Sequence, residues 1–356
     1  MNNLEKYGLT DRFKNEATLY PQFSLARVAA QYRGHYKIAT ETGELQAEIS
    51  GRLRFETHEL AKFPAVGDFV MVSSKDSGGS AIIHHVLTRK SIFLRTAVGM
   101  SGQAQPVAAN IDIVFICMSL NNNFNLNRLE RYLSVAWDSG ATPVILLTKA
   151  DLCDHLQQSV SEVEKVSAFS DVIPLSMFDD DVAAKLSRYL QCGITSAFIG
   201  SSGVGKSTLI NKLLGEEMLL TSEIDKADKG RHTTTGREMF PSPFGGVLID
   251  TPGMRELGAE SADLSKTFED IEAFSSQCKF NNCTHTNEPG CAILQALADG
   301  AIDQRRLASY FKLKTEAGYD GLNSKEIENK KLERMFKEVG GMKNARKFAK
   351  EKRKQW

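Results

Sequence analysis

The stretch GSSGVGKST (200–208) constrains the fold more than any other part of the sequence. It matches the G-x-x-x-x-G-K-[ST] pattern, with the apolar run SAFI before it and the amphipathic run TLINKLL after it, so it predicts a strand, a phosphate-binding loop and a helix. The glycines let backbone N–H groups curl around phosphate oxygens. Lys206 is expected to reach the β- and γ-phosphates, and the Ser207 hydroxyl to ligate Mg²⁺. The predicted phosphate-site residues are Gly200, Ser201, Ser202, Gly203, Val204, Gly205, Lys206, Ser207 and Thr208.

A second loop, DTPG (250–253), ends another apolar strand, GVLI. An acidic residue at a strand's end in the same sheet can hold Mg²⁺, which assigns Asp250 to the metal, and the Gly253 N–H can contact the γ-phosphate. The polar stretch KADKGRHTTTGRE lies between the two loops. We interpret it as a switch loop that closes on Mg²⁺ through Thr234, with Thr233 as the alternative.

The stretch TKAD (148–151) is a candidate base-reading loop, although it lies upstream of the phosphate loop. It ends the apolar run TPVILL, as a loop after a buried strand would. The Asp151 carboxylate can accept hydrogen bonds from the N1–H and the exocyclic amine of guanine together, and adenine lacks that pair of donors. The predicted base-site residues are Thr148, Lys149, Ala150 and Asp151. A further Ser-Ala-like turn near Ser176 matches only weakly.

Apolar runs alternate with helix-like runs from residue 111 to residue 250. IDIVFICMSL, TPVILL, SAFI and GGVLI indicate strands buried on both faces, and NLNRLERYLSVAWDSG indicates a helix. This alternation predicts a mostly parallel α/β sheet with ligand loops at the carboxyl ends of its strands. We interpret SGQAQPVAAN (101–110) as the linker that leads into it.

Residues 25–96 show short β-like runs separated by turn sequences such as ETGE and KDSGGS. Four or five short strands in this length predict a small barrel of the OB type. Its basic residues fit RNA binding, but a barrel that only packs on its neighbour remains open. Residues 1–24 are interpreted as a polar arm. The basic residues of the barrel segment are Arg33, Lys37, Arg52, Arg54, Arg89, Lys90 and Arg95.

Three of the six cysteines lie close to a histidine in CKFNNCTHTNEPGC. The other three, Cys117, Cys153 and Cys192, lie in or beside apolar segments, and we interpret them as small buried hydrophobic side chains. Three thiolates and an imidazole suit tetrahedral Zn²⁺, and four protein ligands leave no open position, so the role is structural. The segments from about Leu264 onward indicate helices. The last sixteen residues carry seven Lys or Arg and one Glu, a net charge of +6, which fits either an anionic partner or a solubilising tail. The predicted zinc ligands are Cys278, Cys283, His285 and Cys291.

The order of the motifs is TKAD, the phosphate loop, the threonine-rich stretch and DTPG, which is the usual GTPase set with its last motifs moved to the front. With a barrel before them and a cysteine-histidine cluster after them, the chain resembles the RsgA (YjeQ, EngC) family of GTPases. The resemblance implies a multidomain fold: an N-terminal OB-type β-barrel, a central α/β circularly permuted P-loop GTPase domain and a C-terminal helical zinc-binding region. The ranges are an arm at 1–24, the barrel at 25–100, the GTPase domain at 101–263 and the zinc-binding region with its basic tail at 264–356.

The resemblance also implies an activity, which is hydrolysis of GTP to GDP and phosphate with Mg²⁺ and one structural Zn²⁺ as cofactors. The implied partner is the small (30S) ribosomal subunit with its 16S rRNA, which stimulates hydrolysis. The implied role is to assist late maturation of that subunit, with hydrolysis driving release. We expect a monomer. We also expect a cytoplasmic protein without a membrane partner, because no apolar run approaches ~18–20 residues and the N-terminus lacks the apolar core of a signal peptide.

Two departures from the family pattern concern the nucleotide site. Thr148 stands where the family often has Asn, and threonine lacks the amide that would contact the base and brace the phosphate loop, so a lower affinity for guanine is expected. Met254 stands where Ras-like enzymes have the glutamine that orients the attacking water. His232 is the internal candidate for that role. The candidate catalytic residues are therefore His232, Lys206 and Thr234.

Two functions of other classes remain open. An ATP-dependent P-loop enzyme, such as a small-molecule kinase, would use the same phosphate loop, and TKAD argues against it. A non-hydrolysing RNA-binding regulator would keep the nucleotide site only for structure. The complete set of phosphate-loop and Mg²⁺ residues argues against that second reading.

Overall fold

The computed structural model describes residues 2–32, 34–57, 59–74, 80–96, 104–121, 123–215, 237–250, 264–319, 326–327 and 329–330. The strands are β1 (Ser24–Gln31), β2 (Tyr36–Ala39), β3 (Glu44–Ile49), β4 (Phe69–Ser74), β5 (Ser80–Val86), β6 (Ile92–Thr96), β7 (Ala104–Ala109), β8 (Ile113–Ser119), β9 (Thr142–Thr148), β10 (Asp171–Leu175), β11 (Thr195–Ile199), β12 (Arg237–Pro241) and β13 (Val247–Asp250). The helices are α1 (Asn3–Lys6), α2 (Asp11–Ala17), α3 (Gly51–Glu56), α4 (Leu126–Asp138), α5 (Leu156–Glu164), α6 (Val182–Leu186), α7 (Lys206–Leu214), α8 (Glu269–Ser275), α9 (Ala292–Ala298) and α10 (Gln304–Ala317).

The first five strands close into a barrel. β1 pairs with β2, β2 with β3, β3 in parallel with β5, β5 with β4, and β4 returns to β1. Apolar side chains on the inner faces fill the barrel, and closure buries them. These side chains include Val28, Ile38, Val70 and Ile83, all buried. The predicted N-terminal β-barrel is confirmed.

The central domain is an α/β sheet in the order β10-β9-β8-β11-β13, and all of these neighbours pair in parallel. Helices cover both faces: α4 and α5 pack on one through Leu129 and Val163, and α6 and α7 on the other through Leu186 and Leu209. Because both faces are covered, the strands are the continuous apolar runs noted in the sequence. The predicted parallel sheet is confirmed, and the carboxyl ends of its strands lie at one edge.

The barrel and the central sheet are joined by backbone hydrogen bonds. β1 of the barrel pairs with β12, Ala30 lying opposite Glu238, and β12 pairs with β13 of the central sheet. The two domains therefore share one sheet of eleven strands. No hydrophobic pattern in the sequence indicates this pairing, because a strand's partner is not encoded in its own periodicity.

Buried Arg27 also ties the barrel to its neighbours. Its guanidinium donates to the carbonyl oxygens of Tyr7 and Gly67, and to Thr195 Oγ1 at 2.9 Å. It stacks over the Phe69 ring, 4.5 Å from the centroid. Burial lowers the pKa of Arg27 to about 10, which leaves it charged at neutral pH. One side chain thus joins the arm, the barrel and the central sheet.

The N-terminal segment is not the polar arm that the sequence pattern indicated. It forms α1 and α2, and a capping box between Asn2 and Glu5 starts the first helix. Leu4 and Phe13 are buried in the core that the barrel and the central sheet share, and Phe13 stacks on Phe69 with centroids 4.0 Å apart. The sequence does not indicate these helices because they are short and contain few apolar residues, so they show no helical periodicity.

Two further segments differ from the sequence interpretation. The sequence predicts a linker at residues 101–110, but Ala104–Ala109 form β7, which pairs antiparallel with β6. Residues 51–56 lie in the segment where the sequence predicts short strands, but they form α3, since the Ser50 hydroxyl accepts from the Leu53 N–H and caps a helix. The sequence GRLRF does not strongly favour a helix or a strand, and the Ser50 cap favours the helix.

The C-terminal helical region (residues 264–319) has a core of its own. Phe268, Ile271, Ile293 and Tyr310 pack together between α8, α9 and α10. The basic tail lies outside the described residues. Among the helices described, none has both the length and the apolar character needed to cross a membrane.

Candidate nucleotide site and metal centre

The phosphate loop leaves β11 at Ile199 and enters α7 at Lys206. Gly200 has a φ of +146°, and a Cβ there would lie 2.4 Å from the carbonyl oxygen of Cys117 on β8. Gly205, at the start of α7, has a φ of +96°. The close approach of β8 and the path of the loop therefore require glycine at these positions. The strand, loop and helix follow one another as the sequence predicted.

A positive charge and hydrogen-bond donors lie together at the phosphate loop. Lys206 Nζ donates to the carbonyl oxygens of Gly200 and Ser201, both at 2.7 Å, so its ammonium lies within the curl of the loop. Ser207 is half-buried in the first turn of α7, whereas Ser202 and Thr208 are exposed. An ammonium group and the N-terminal end of a nine-residue helix meet at one place. This is the arrangement that binds phosphate.

TKAD contacts the phosphate loop directly. β9 ends at Thr148, and Thr148 Oγ1 donates to the carbonyl oxygen of Val204 at 2.7 Å. Lys149 has a φ of +59°, and the short 3-10 turn Ala150–Leu152 leaves Asp151 exposed at the sheet edge. Two motifs in reversed chain order are therefore parts of one site, because their strands end at the same edge.

This hydrogen bond corrects one expectation from the sequence. The expectation that threonine leaves the phosphate loop without a brace is wrong, since the Thr148 hydroxyl supplies the brace. Thr148 is 1% exposed, so water does not compete for the bond. A hydrogen bond of this kind contributes about 1 kcal/mol. The expected loss of an amide contact to the base stays a prediction.

The turn after β10 lies at the same edge. β10 pairs in parallel with β9, with Leu175 opposite Thr148, so Ser176 follows at the level of Lys149. The Ser176 N–H donates to Asp179 Oδ2 at 3.3 Å. Ser176, the weak match in the sequence, therefore begins a loop that lies next to TKAD at the carboxyl edge of the sheet.

Lys212 of α7 is a supporting residue that the sequence analysis missed. Its Nζ donates to the carbonyl oxygens of Met177 and Asp179 in the turn after β10. The helix that begins in the phosphate loop therefore also holds the base-side turn. A lysine in an amphipathic helix is not part of a recognisable sequence motif, so this role is visible only in the structure.

Asp250 ends β13, which pairs in parallel with β11. Ala197 lies opposite Ile249, so Asp250 is level with the end of β11, next to the start of the phosphate loop. A half-buried carboxylate at this position suits a Mg²⁺ ligand. The roles predicted for five other residues stay predictions, because they lie outside the described residues: Gly253, Met254, His232, Thr233 and Thr234.

Two unpredicted side chains contact the phosphate loop. Asn123 Nδ2 donates to Ser201 Oγ at 2.9 Å, and Arg128 Nη1 donates to the same oxygen at 3.2 Å and to Asn123 Oδ1 at 2.6 Å. The Asn125 side chain accepts from the Arg128 N–H and caps α4. The signal that would have found them is their position after β8, where a parallel sheet gathers its ligand loops.

The four predicted zinc ligands converge, and their ligand atoms lie within 4.8 Å of one another. Cys278 Sγ and Cys291 Sγ are 3.5 Å and 3.6 Å from His285 Nδ1, and 4.0 Å from each other. Zinc–sulfur and zinc–nitrogen bond lengths imply tetrahedral edges of about 3.6 Å for S to N and about 3.8 Å for S to S. The cluster therefore has the dimensions of a four-ligand zinc site.

Neighbouring groups hold the ligand loop in shape. His285 Nε2 lies 3.2 Å from Ser275 Oγ, a contact that orients the ring so that Nδ1 faces the sulfurs. Glu288 accepts from the N–H groups of Thr284 and Thr286 at 2.9 Å and 3.0 Å, which closes the turn around His285. These hydrogen bonds hold the four ligand residues close together.

The other three cysteines lie apart from this cluster. Cys117 is buried beneath the phosphate loop, and burial raises its pKa to about 12, so it is an inert apolar side chain as predicted. Cys153 is half-buried. Cys192 is exposed, so the interpretation of it as a buried residue is wrong.

Comparison with known proteins agrees with this geometry. A family model described as RsgA GTPase matches residues 86–260. A protein of Lactiplantibacillus plantarum named small ribosomal subunit biogenesis GTPase RsgA 2 is 49% identical over 335 residues, which cover 94% of this chain and 95% of the relative. A Methanosarcina acetivorans protein named small ribosomal subunit biogenesis GTPase RsgA is 42% identical, with 98% and 94% covered.

Solved structures share the fold. YjeQ from Thermotoga maritima matches with a TM-score of 0.60 and 25% identity, over 83% of this chain and 99% of that one. YloQ, described as a circularly permuted GTPase, matches with a TM-score of 0.59 and 24% identity, over 83% and 95%. The permuted motif order, the shared sheet edge and the extent of these matches lead to one conclusion: this chain belongs to the RsgA GTPase family.

Proposed function

We propose that this chain is a GTP hydrolase that binds the small (30S) ribosomal subunit and assists its late maturation. The subunit stimulates hydrolysis, and hydrolysis drives release. The relatives' names, which include small ribosomal subunit biogenesis, support the role. The observation that carries the catalytic part is the hydrogen bond from Thr148 to Val204, which joins a base-reading loop and a phosphate-binding loop in one site.

The choice of guanine follows from the exposed Asp151 carboxylate. It accepts from the guanine N1–H and exocyclic amine, while the Lys149 stem lies along the base and Ala150 supports the turn. The phosphate loop, Lys206 and the N-terminal end of α7 hold the phosphates. Ser207, Asp250 and Thr234 hold Mg²⁺, which neutralises charge on the phosphates. This division assigns the base and the phosphates to loops from different strands.

Hydrolysis requires a group that positions water. We assign this role to His232, supplied by a closing switch loop, with Thr234 on the metal and the Gly253 N–H at the γ-phosphate. Met254 cannot orient water, so intrinsic turnover is slow and depends on the partner.

The metal of the C-terminal region is one structural Zn²⁺. Three thiolates and one imidazole complete a tetrahedron, so the site has no open position and pins the loop between α8 and α9. The barrel, this region and the basic tail contact 16S rRNA. The protein works in the cytoplasm as a monomer.

The test is phosphate release from GTP and, separately, from ATP, each with and without purified small subunits at fixed salt. Slow GTP turnover that rises sharply with subunits is the expected result. Preference for ATP would favour a small-molecule kinase or related P-loop enzyme. No turnover even with subunits would favour a non-hydrolysing RNA-binding regulator.

A further inference from the structure

A polar cavity of ≈ 350 Å³ lies between α4 of the GTPase domain and α10 of the C-terminal helical region. Its volume is at the lower end of the range of small-ligand sites. Asn127, Arg128 and Arg131 line it from α4, together with the cap residue Asn125, and Ser309 and Lys312 line it from α10. Its lining includes no residue of the base-reading loop or of the cysteine–histidine cluster, and Arg128 connects it to the phosphate loop.

The charge of the cavity is positive. Three cationic side chains line it, and its described lining includes no carboxylate. Arg131 shares its charge with Glu316, with Nη2 donating to Oε1 at 2.7 Å. Lys312 is exposed, and the ion pairs of the described residues do not include it. The Lys312 ammonium is therefore available to an anion, and the Arg128 guanidinium, whose Nη1 donates to the neutral Asn123 and Ser201 side chains, is a second positive charge at the cavity.

These donors suit phosphate oxygens. Guanidinium groups bind phosphate through paired N–H donors, a lysine binds it as a point charge, and amide and hydroxyl groups add neutral donors. We propose that this cavity is a docking site for a phosphate of RNA, and that Arg128 transmits its occupancy to the phosphate loop. The inference rests on the proposed function, because ribosomal RNA is the anion that this family member would meet.

Arg128 connects the cavity to the phosphate loop, because its side chain contacts both. It lines the cavity, and its Nη1 donates to Ser201 Oγ at 3.2 Å and to Asn123 Oδ1 at 2.6 Å. An RNA phosphate in the cavity competes with Ser201 for the same N–H groups. Binding at the cavity therefore changes the contacts of the phosphate loop without any contact to the nucleotide.

The first test uses Lys312→Ala in the full chain, with Lys165→Ala as the matched control. Lys165 is an exposed lysine at the end of α5, away from the cavity. The affinity for purified small subunits is measured with a non-hydrolysable GTP analogue over a range of salt. Lys312→Ala is expected to bind roughly 3- to 10-fold more weakly, and its salt slope to fall by about 0.7–0.9. The control is expected to match the wild type.

An unchanged affinity and slope for Lys312→Ala, with normal binding of the wild type, would overturn the docking site. Failure of the wild type to bind subunits at all would instead contradict the proposed function. A competition arm separates the sources of phosphate: short single-stranded RNA is expected to displace the chain from subunits, and inorganic phosphate at constant ionic strength is not. Equal displacement by inorganic phosphate would overturn the assignment to RNA.

The second test concerns Arg128 as a positioning residue. At saturating subunits, Lys312→Ala is expected to regain wild-type turnover, because only its binding is weakened. Arg128→Gln is expected to lose most of the stimulation even at saturation, and Arg128→Lys to restore part of it. GDP affinity of each Arg128 variant is measured first, because a large loss of affinity would show that the substitution disrupts the phosphate loop itself. Full stimulation of Arg128→Gln at saturating subunits would contradict the transmission.

Discussion

The GTPase domain meets its two neighbours through different kinds of junction. On the barrel side, β1 and β12 share backbone hydrogen bonds, and Leu4, Phe69 and Val114 belong to one apolar core. On the C-terminal side the two cores are separate, and the junction is polar. The buried Glu130 accepts from Arg305 at 3.1 Å and from Arg306 at 3.0 Å. Ion pairs join the domains at this junction, whereas strand pairing joins them on the barrel side.

This difference predicts two levels of cooperativity. Elements that share an apolar core unfold together, whereas a separately cored region joined by ion pairs can open alone. The barrel and the nucleotide site should therefore behave as one unit. The C-terminal helical region, which carries the cysteine–histidine cluster, should be able to separate from it. The following predictions test this contrast, from the largest expected effect to the smallest.

The metal cluster should decide whether the C-terminal region is folded. Structural Zn²⁺ contributes on the order of 10–16 kcal/mol in small zinc-dependent folds, because the site does not exist in the unfolded chain and the binding free energy becomes folding free energy. Chelation, or Cys278→Ser, is expected to unfold residues 264–319 and to leave GDP affinity within about threefold of wild type. Calorimetry should show loss of one transition only. Cys192→Ser, an exposed non-ligand change, is the control.

Arg27→Met should destabilise the barrel and the GTPase domain together. The substitution leaves the carbonyl oxygen of Tyr7 without its buried donor and removes one of the two donors to the carbonyl oxygen of Gly67, the other being Asn110 Nδ2. We expect the free energy of unfolding to fall by about 2–4 kcal/mol, because buried hydrogen bonds from a charged donor are lost. Urea unfolding followed by circular dichroism and by GDP binding should shift in parallel. Arg52→Met removes an exposed arginine and should change little; separate shifts of the two probes would contradict a single unit.

Glu130→Gln should loosen the polar junction. Its carboxylate is fully buried and paired with two arginines, but Arg306 keeps Asp270 at 2.6 Å. The expected loss is therefore smaller than for a complete buried network, about 1–3 kcal/mol. Hydrogen exchange should accelerate in α10 and not in α7. Uniform acceleration in both helices would mean that the two regions form one cooperative unit after all.

Thr148→Val should weaken nucleotide binding without affecting either junction. Valine keeps the shape and removes the hydroxyl that donates to Val204. The lost hydrogen bond is worth about 1 kcal/mol, so GDP affinity should fall by about fivefold. Calorimetric titration with GDP and Mg²⁺ measures it. Thr148→Ser keeps the hydroxyl and should stay near wild type.

The sequence predicted the features that local patterns specify. The phosphate loop, TKAD and the cysteine cluster each carry a fixed spacing of special residues, and buried parallel strands carry continuous apolar runs. It did not predict the pairing of β1 with β12, the burial of Arg27 or the contacts of Arg128, because these depend on which distant segments meet. The α1 and α2 segment failed for a related reason, since its few apolar residues acquire meaning only against the barrel.

The central claim is that an upstream TKAD and a downstream phosphate loop form one guanine-nucleotide site. Asp151→Asn tests it most directly, with affinities measured for GTP and xanthosine triphosphate. An asparagine amide can accept from N1–H and donate to the 2-oxo group of xanthine, but cannot accept from both guanine donors. GTP affinity is expected to fall by roughly 30-fold or more, and xanthosine triphosphate to become the better ligand. If the variant kept its preference for GTP, another residue would read the base and the permuted site would be wrong.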